Sequence, residues 1–147
     1  MKSFCYLIDD DTDDHYLFAA VLKEVCPALE FSGEANSQYA VEKLQSDSEF
    51  TPSYIFLDLN MPNMNGLECL AEIKKIERLK EVPVIIFSTS SFKKDINEAA
   101  ELGSTQYITK PGSYKELTSV LQQLIPGVAD SSIEYPACDT DRMRNYQ

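Results

Sequence analysis

A chain of 147 residues suits one compact domain, and 44% hydrophobic with 25% charged residues is ordinary for a globular protein. Twenty-four acids against thirteen bases give a net charge of -11, which argues against direct nucleic-acid binding and favours cations or basic partner surfaces. No apolar run is long enough to span a membrane, the N-terminus lacks a signal-peptide core, and Cys5, Cys26, Cys69 and Cys138 show neither CxxC nor zinc spacing; reduced thiols in a cytoplasmic protein are expected.

Residues 4–8 form a continuous apolar run, as in a strand covered on both faces. Behind Asp9-Asp10-Asp11, the residues Leu17, Val21, Leu22 and Val25 recur at helical spacing until Pro27. Asp11 or Thr12 is the predicted cap of that helix, Asp13-Asp14 its solvated start, and His15 a surface residue beside it. A weaker strand is predicted over residues 29–32, and a helix from about Ser37 with Tyr39, Ala40, Val41 and Leu44. After Pro52, residues 54–57 read as the most clearly buried strand. Asn65-Gly66-Leu67-Glu68 is a capping box, with Leu67, Leu70 and Ile73 inward in the helix that it opens.

Pro83 precedes a β-branched strand at 84–87, and a helix follows through Ile96, Ala99, Ala100 and Leu102, stopped by Gly103. Tyr107-Ile108-Thr109 is a short strand. Ser113-Tyr114-Lys115-Glu116 reads as a second capping box, opening a helix with Leu117, Val120, Leu121 and Leu124 inward. Pro126-Gly127 end the pattern, so residues 1–126 are the predicted domain and 127–147 a mobile tail.

Strands that alternate with helices predict an α/β fold: a doubly wound, five-stranded parallel sheet of order 2-1-3-4-5 with five helices. Its ligand site lies at the C-terminal ends of strands 1 and 3, where Asp9, Asp10 and Asp58 must converge. Carboxylates so close repel unless a cation, protons or a basic group lie among them, and two carboxylates with a backbone carbonyl and waters suit Mg²⁺. Ser88-Thr89 end strand 4, Lys110-Pro111 follow strand 5, and Asn60 lies just past Asp58. Singly, such residues are ordinary caps and surface groups. Together they supply a nucleophilic carboxylate, a cation site, a hydroxyl and an ammonium, the set that phosphoryl transfer needs.

These motifs resemble the receiver domains of bacterial response regulators, the CheY-like family with its flavodoxin-like fold, over roughly residues 3–125. The resemblance implies that Asp9-Asp10 are the metal pair and that Asp58 is the phospho-acceptor, within Leu57-Asp58-Leu59-Asn60-Met61-Pro62. Asn60 stands where the family offers a backbone carbonyl to the metal. Ser88 matches the switch hydroxyl, Tyr107 the switch aromatic, and Lys110-Pro111 a pair whose peptide bond is often cis in the family. A tyrosine in strand 5 is equally an ordinary packing residue. Thr89 and Gly112 depart from the commonest pattern, at positions that shape the output face rather than the chemistry. The Leu57–Asn60 context and Ser88-Thr89-Ser90 resemble the stand-alone receivers that serve bacterial phytochrome-type kinases.

The resemblance implies a phospho-accepting switch rather than an enzyme acting on another substrate. A sensor histidine kinase or histidine phosphotransfer protein would donate, Ser88 would swing to the phosphoryl group, and Tyr107 would turn inward. The face of helix 4, strand 5 and helix 5 would then bind a downstream target protein, by a monomer or a homodimer. A phosphorelay intermediate and a phosphorylation-independent scaffold are the alternatives. An aspartyl-phosphate phosphatase would need an Asp where Asn60 stands, and a flavodoxin-like electron carrier would need a Ser/Thr/Gly-rich phosphate loop after strand 1, where the Asp-rich Asp9-Asp10-Asp11 stand.

Overall fold

The apolar runs pair as parallel strands β1 (Phe4–Ile8), β2 (Glu30–Glu34), β3 (Tyr54–Leu57), β4 (Val84–Ser88) and β5 (Gln106–Thr109). They form one sheet in the predicted order β2-β1-β3-β4-β5. Helices α1 (Thr12–Val25), α2 (Ser37–Ser46), α3 (Gly66–Lys74), α4 (Lys93–Glu101) and α5 (Tyr114–Leu124) alternate with them, and a 3₁₀ turn, Glu77–Leu79, follows α3. The computed structural model describes residues 3–125; the predicted tail, 127–147 with Cys138, lies outside the described residues. Among the described residues no helix is long and apolar enough to cross a membrane.

Successive strand side chains point to opposite faces, which divides the core in two. Cys5, Leu7, Phe56, Ile85, Phe87 and Ile108 pack under α1 and α5. Tyr6, Ile8, Ile55, Leu57, Val84, Ile86 and Tyr107 pack under α2, α3 and α4. Three rings meet edge to face on the first face: Phe18 lies 4.7 Å from Phe56 and 5.8 Å from Phe87 between centroids.

Several local readings need correction. The second strand runs Glu30–Glu34 rather than 29–32, since it takes its length from pairing with all of β1, Phe4 with Glu30 through Ile8 with Glu34. Its polar Ser32, Gly33 and Glu34 hid that pairing. In α1 the buried aromatic is Phe18, with Leu17 only half-buried. Tyr39 and Ala100 are exposed and Leu102 is partly so, while Cys69 joins Leu70 and Ile73 inside. The Asn65 capping box is complete, whereas at Ser113 only half forms: Ser113 accepts from the Glu116 N–H, but the Glu116 carboxylate takes the Gly112 N–H instead. Gly103 ends α4 with φ +103, a conformation that glycine adopts without strain. No cis peptide bond occurs among the described residues, so the Lys110–Pro111 bond is trans.

Arg78, in the 3₁₀ turn, fastens the link between α2 and β3. Its guanidinium donates to the carbonyls of Leu44, Asp47 and Phe50 and to the Thr51 hydroxyl, at 2.8–3.0 Å. Gln106 is the opposite case: it is 2% exposed and neither amide atom has a hydrogen-bond partner. Burying an unsatisfied amide costs about 1–3 kcal/mol. Gln106→Met is therefore expected to raise the urea midpoint, with about 1 kcal/mol of added stability and an unchanged m-value.

Candidate functional site

The register of the sheet assembles the site. Ile8 pairs with Leu57 and Leu57 with Ile86, so one step further Asp9 and Asp58 stand level on neighbouring strands, beside Phe87. Neighbouring strands lie roughly 4.8 Å apart, and carboxylate oxygens of Asp9, Asp10 and Asp58 all fall within 4.8 Å of one another. Asp9 and Asp58 are buried and Asp10 is exposed. The loop after Asp58 is folded back by the Gly66 N–H donating to the Leu59 carbonyl, by Asn63 at φ 68, and by the Ser37 hydroxyl donating to the Met64 carbonyl. Asparagine tolerates the left-handed region better than most residues.

Lys110 enters from the end of β5, its N–H donating to the Ser88 carbonyl. Its Nζ lies 2.9 Å from Asp9 Oδ2, 2.5 Å from Asp14 Oδ2 and 3.6 Å from Asp58 Oδ2, above the Phe87 ring at 5.8 Å from the centroid. Burial alone would lower the ammonium's pKa, but Asp14, Asp9 and Asp58 outweigh it and raise it. Burial pushes the Asp9 carboxyl up to about 7, against the pull of Lys110. Asp58 is raised for the same reason, again opposed by Lys110. The Asp9 Oδ2 contact with Lys110 lacks hydrogen-bond geometry, which leaves a buried carboxylate oxygen without a directed partner. Asp9, Asp10 and Asp58, with one buried Asp9 oxygen that no hydrogen bond satisfies, are a hard oxygen donor set that fits a divalent cation such as Mg²⁺ or Mn²⁺.

Asn60 is exposed, with its N–H 3.4 Å from Asp58 Oδ1. Ser88 is fully buried, on the α4 side of the sheet with Tyr107, and its hydroxyl accepts the Ser90 N–H at 3.2 Å. The Tyr107 ring is 3% exposed, and its hydroxyl donates to the Ser90 carbonyl at 2.8 Å. That bond lets the ring be buried without stranding its polar end. The Ser90 hydroxyl in turn donates to Asp95 in the first turn of α4, at 2.6 Å.

Two residues were misjudged from sequence. Asp14 is not merely a solvated helix start; it pairs with Lys110. The signal was its spacing, four before Phe18 and seven before Val21, on the buried stripe of α1. His15 is half-buried rather than on the surface, its Nε2 lying 2.6 Å from the Asp9 carbonyl and its ring against Gly33 and Phe31. It holds the end of β1 to the first turn of α1.

Known proteins resemble this chain in sequence and in fold. The model of the response regulator receiver domain matches residues 6–122. Response regulator Rcp1 of Synechocystis sp. is 34% identical over 120 residues, covering 79% of this chain and 82% of that protein. The crystal structure of the Mn(2+)-bound form of Rcp1 superposes with a TM-score of 0.75 at 32% identity, covering 92% of this chain and 99% of that one. The phosphorylated cyanobacterial phytochrome response regulator RcpA gives 0.77 at 26% identity, covering 93% and 100%. The likeness to receivers associated with phytochromes thus extends from short motifs to the whole described domain. With its strand order, its acidic pocket and a family match over most of its length, the chain belongs to the receiver domains of two-component response regulators.

Proposed function

We propose that Asp58 accepts a phosphoryl group from a phosphohistidine on a sensor histidine kinase or a histidine phosphotransfer protein. An Asp58 carboxylate oxygen attacks phosphorus in line, the P–N bond breaks, and the imidazole leaves with its electron pair. The observation that carries this reading is the placement of Asp58, 4% exposed, with the Lys110 ammonium 3.6 Å away and with Asp9 and Asp10 beside it. Asp9, Asp10, Asp58 and the Asn60 carbonyl would hold Mg²⁺, which when bound supplies positive charge to the phosphoryl oxygens. Lys110 neutralises a further oxygen. Water later hydrolyses the acyl phosphate, so the protein catalyses only its own modification and its reset.

The readout begins at Ser88. To reach the phosphoryl group its hydroxyl must leave the Ser90 N–H, the residue that also holds Tyr107 and Asp95. Loss of that bond loosens the link from β4 to α4 while Tyr107 stays buried, and alters the face of α4, β5 and α5 that meets a target protein. This is a two-state element biased by a local charge change. Intact-mass analysis after incubation with acetyl phosphate tests the reading: a gain of one phosphoryl group, lost with EDTA, supports it. An unchanged mass with acetyl phosphate and with a panel of phosphorylated histidine kinases would sink it.

A further inference from the structure

Lys110 is shared among three carboxylates, and the nearest is not the one that phosphoryl chemistry needs. Asp14 Oδ2 lies 2.5 Å from Nζ, Asp9 Oδ2 2.9 Å and Asp58 Oδ2 3.6 Å, and of the three only Asp14 accepts with hydrogen-bond geometry. The placement of Asp14 is fixed by the start of α1. Its N–H donates to the Asp11 carbonyl, Asp11 caps the helix through the Asp13 N–H, and Phe18 anchors the same stripe in the core. Both partners are partly shielded, with 13% of the Lys110 side chain and 23% of Asp14 exposed. A charge-assisted pair in such surroundings is stronger than one in open water.

We infer that Asp14 is a positioning residue for Lys110: it holds the ammonium at the α1 rim and leaves the Asp58 carboxylate open to a cation and a phosphoryl group. The inference rests on the proposed role of Asp58 as acceptor. Without the charge of Asp14, the ammonium settles between Asp9 and Asp58. There it neutralises the oxygens that otherwise attract a divalent cation. Asn at position 14 keeps the side-chain shape and the exposed first turn of the helix, so the fold is retained.

The test is Mg²⁺ binding followed by calorimetry at pH 8, on the wild type, Asp14→Asn, Asp13→Asn, Lys110→Met and the double variant Asp14→Asn with Lys110→Met. Asp14→Asn is expected to weaken Mg²⁺ about tenfold, the size of a misplaced charge near a shielded site. Asp13→Asn, which removes an equal charge from the exposed side of the same turn, weakens it less than about twofold. In the Lys110→Met background Asp14→Asn changes the affinity by no more than about twofold, because no ammonium is left to misplace. Equal weakening by Asp14→Asn in both backgrounds would overturn the inference, since Asp14 would then act as a plain negative charge. So would an unchanged affinity in Asp14→Asn alone. The same proteins are weighed after acetyl phosphate treatment. A wild type that is never labelled while the cycle holds overturns the acceptor role and keeps the positioning. A labelled wild type with an additive cycle overturns the positioning alone. No Mg²⁺ binding by the wild type overturns both.

Discussion

Asp58→Asn protein incubated with acetyl phosphate and Mg²⁺ is expected to gain no phosphoryl mass, with labelling below about one-hundredth of wild type, a barrier increase of at least about 2.7 kcal/mol. The amide keeps the size of the side chain and an oxygen for the Asn60 N–H, which lies 3.4 Å from Asp58 Oδ1. What it removes is the negative charge and the nucleophilic oxygen pair. The same variant is expected to melt higher than wild type when metal is absent. Burial raises the Asp58 and Asp9 carboxyls above the ordinary 3.8, so the fold binds their protons more tightly than the unfolded chain does. That contribution to stability is present below the ordinary value and is lost as pH rises through the folded one, about 7 for Asp9. Wild type in EDTA is therefore expected to be less stable at pH 8 than at pH 5, and Asp58→Asn to lose less over the same interval. Its gain over wild type at pH 8 should be about 3 °C for about 1 kcal/mol, read by thermal denaturation. Mg²⁺ should raise the wild-type midpoint and barely move that of the variant. A variant that is labelled normally, or that melts lower than wild type in EDTA at pH 8, would break the link drawn here between burial, charge and chemistry.

Gly66→Ala is expected to cost at least about 3 kcal/mol of stability, among the larger effects of single substitutions. A Cβ at this position would lie 2.2 Å from the Asp58 carbonyl oxygen and 2.5 Å from Leu59 Cα. Both are backbone atoms, so no rotamer change relieves the contact, and either α3 or the loop after Asp58 must move. The N–H of Gly66 donates to the Leu59 carbonyl, so the displacement also strains the bond that folds the loop back. The urea midpoint should fall sharply. Any folded fraction should be labelled by acetyl phosphate more slowly than wild type, because the Asp58 backbone is what the added methyl group pushes. Wild-type stability together with wild-type labelling would contradict this close packing.

The architecture was legible because its signals are collective. Residues 4–8, 54–57 and 84–87 are buried on both faces and read as unbroken apolar runs, and the helices between them carry clear stripes and caps. The acidic pocket was legible for a related reason: Asp9, Asp58 and Lys110 occupy strand ends, where register alone decides who meets whom. The α1 stripe marked Asp14 as shielded, but its partner Lys110 lies 96 residues away and that of His15 is a backbone carbonyl six residues away, which no local pattern points to. Strand β2 was partly hidden because its ladder with β1 holds polar residues that no propensity favours. Tyr107 was open between packing and switching. Its ring is buried and its hydroxyl bonds the Ser90 carbonyl, an arrangement compatible with either role.

The alternation of side chains along the strands has a consequence for how the molecule tolerates change. Asp9, Asp58 and Lys110 follow Leu7, Phe56 and Ile108 by two residues, and so share their side of the sheet with α1 and α5. Ser88 follows Ile86 by two, on the opposite side with Tyr107 and α4. Loss of one codon within β4 would exchange these allegiances, sending a phenylalanine toward α4 and the Ser88 hydroxyl into the aromatic cluster. A substitution along these strands disturbs one side chain, whereas a change in their length reverses the facing of every side chain that follows it.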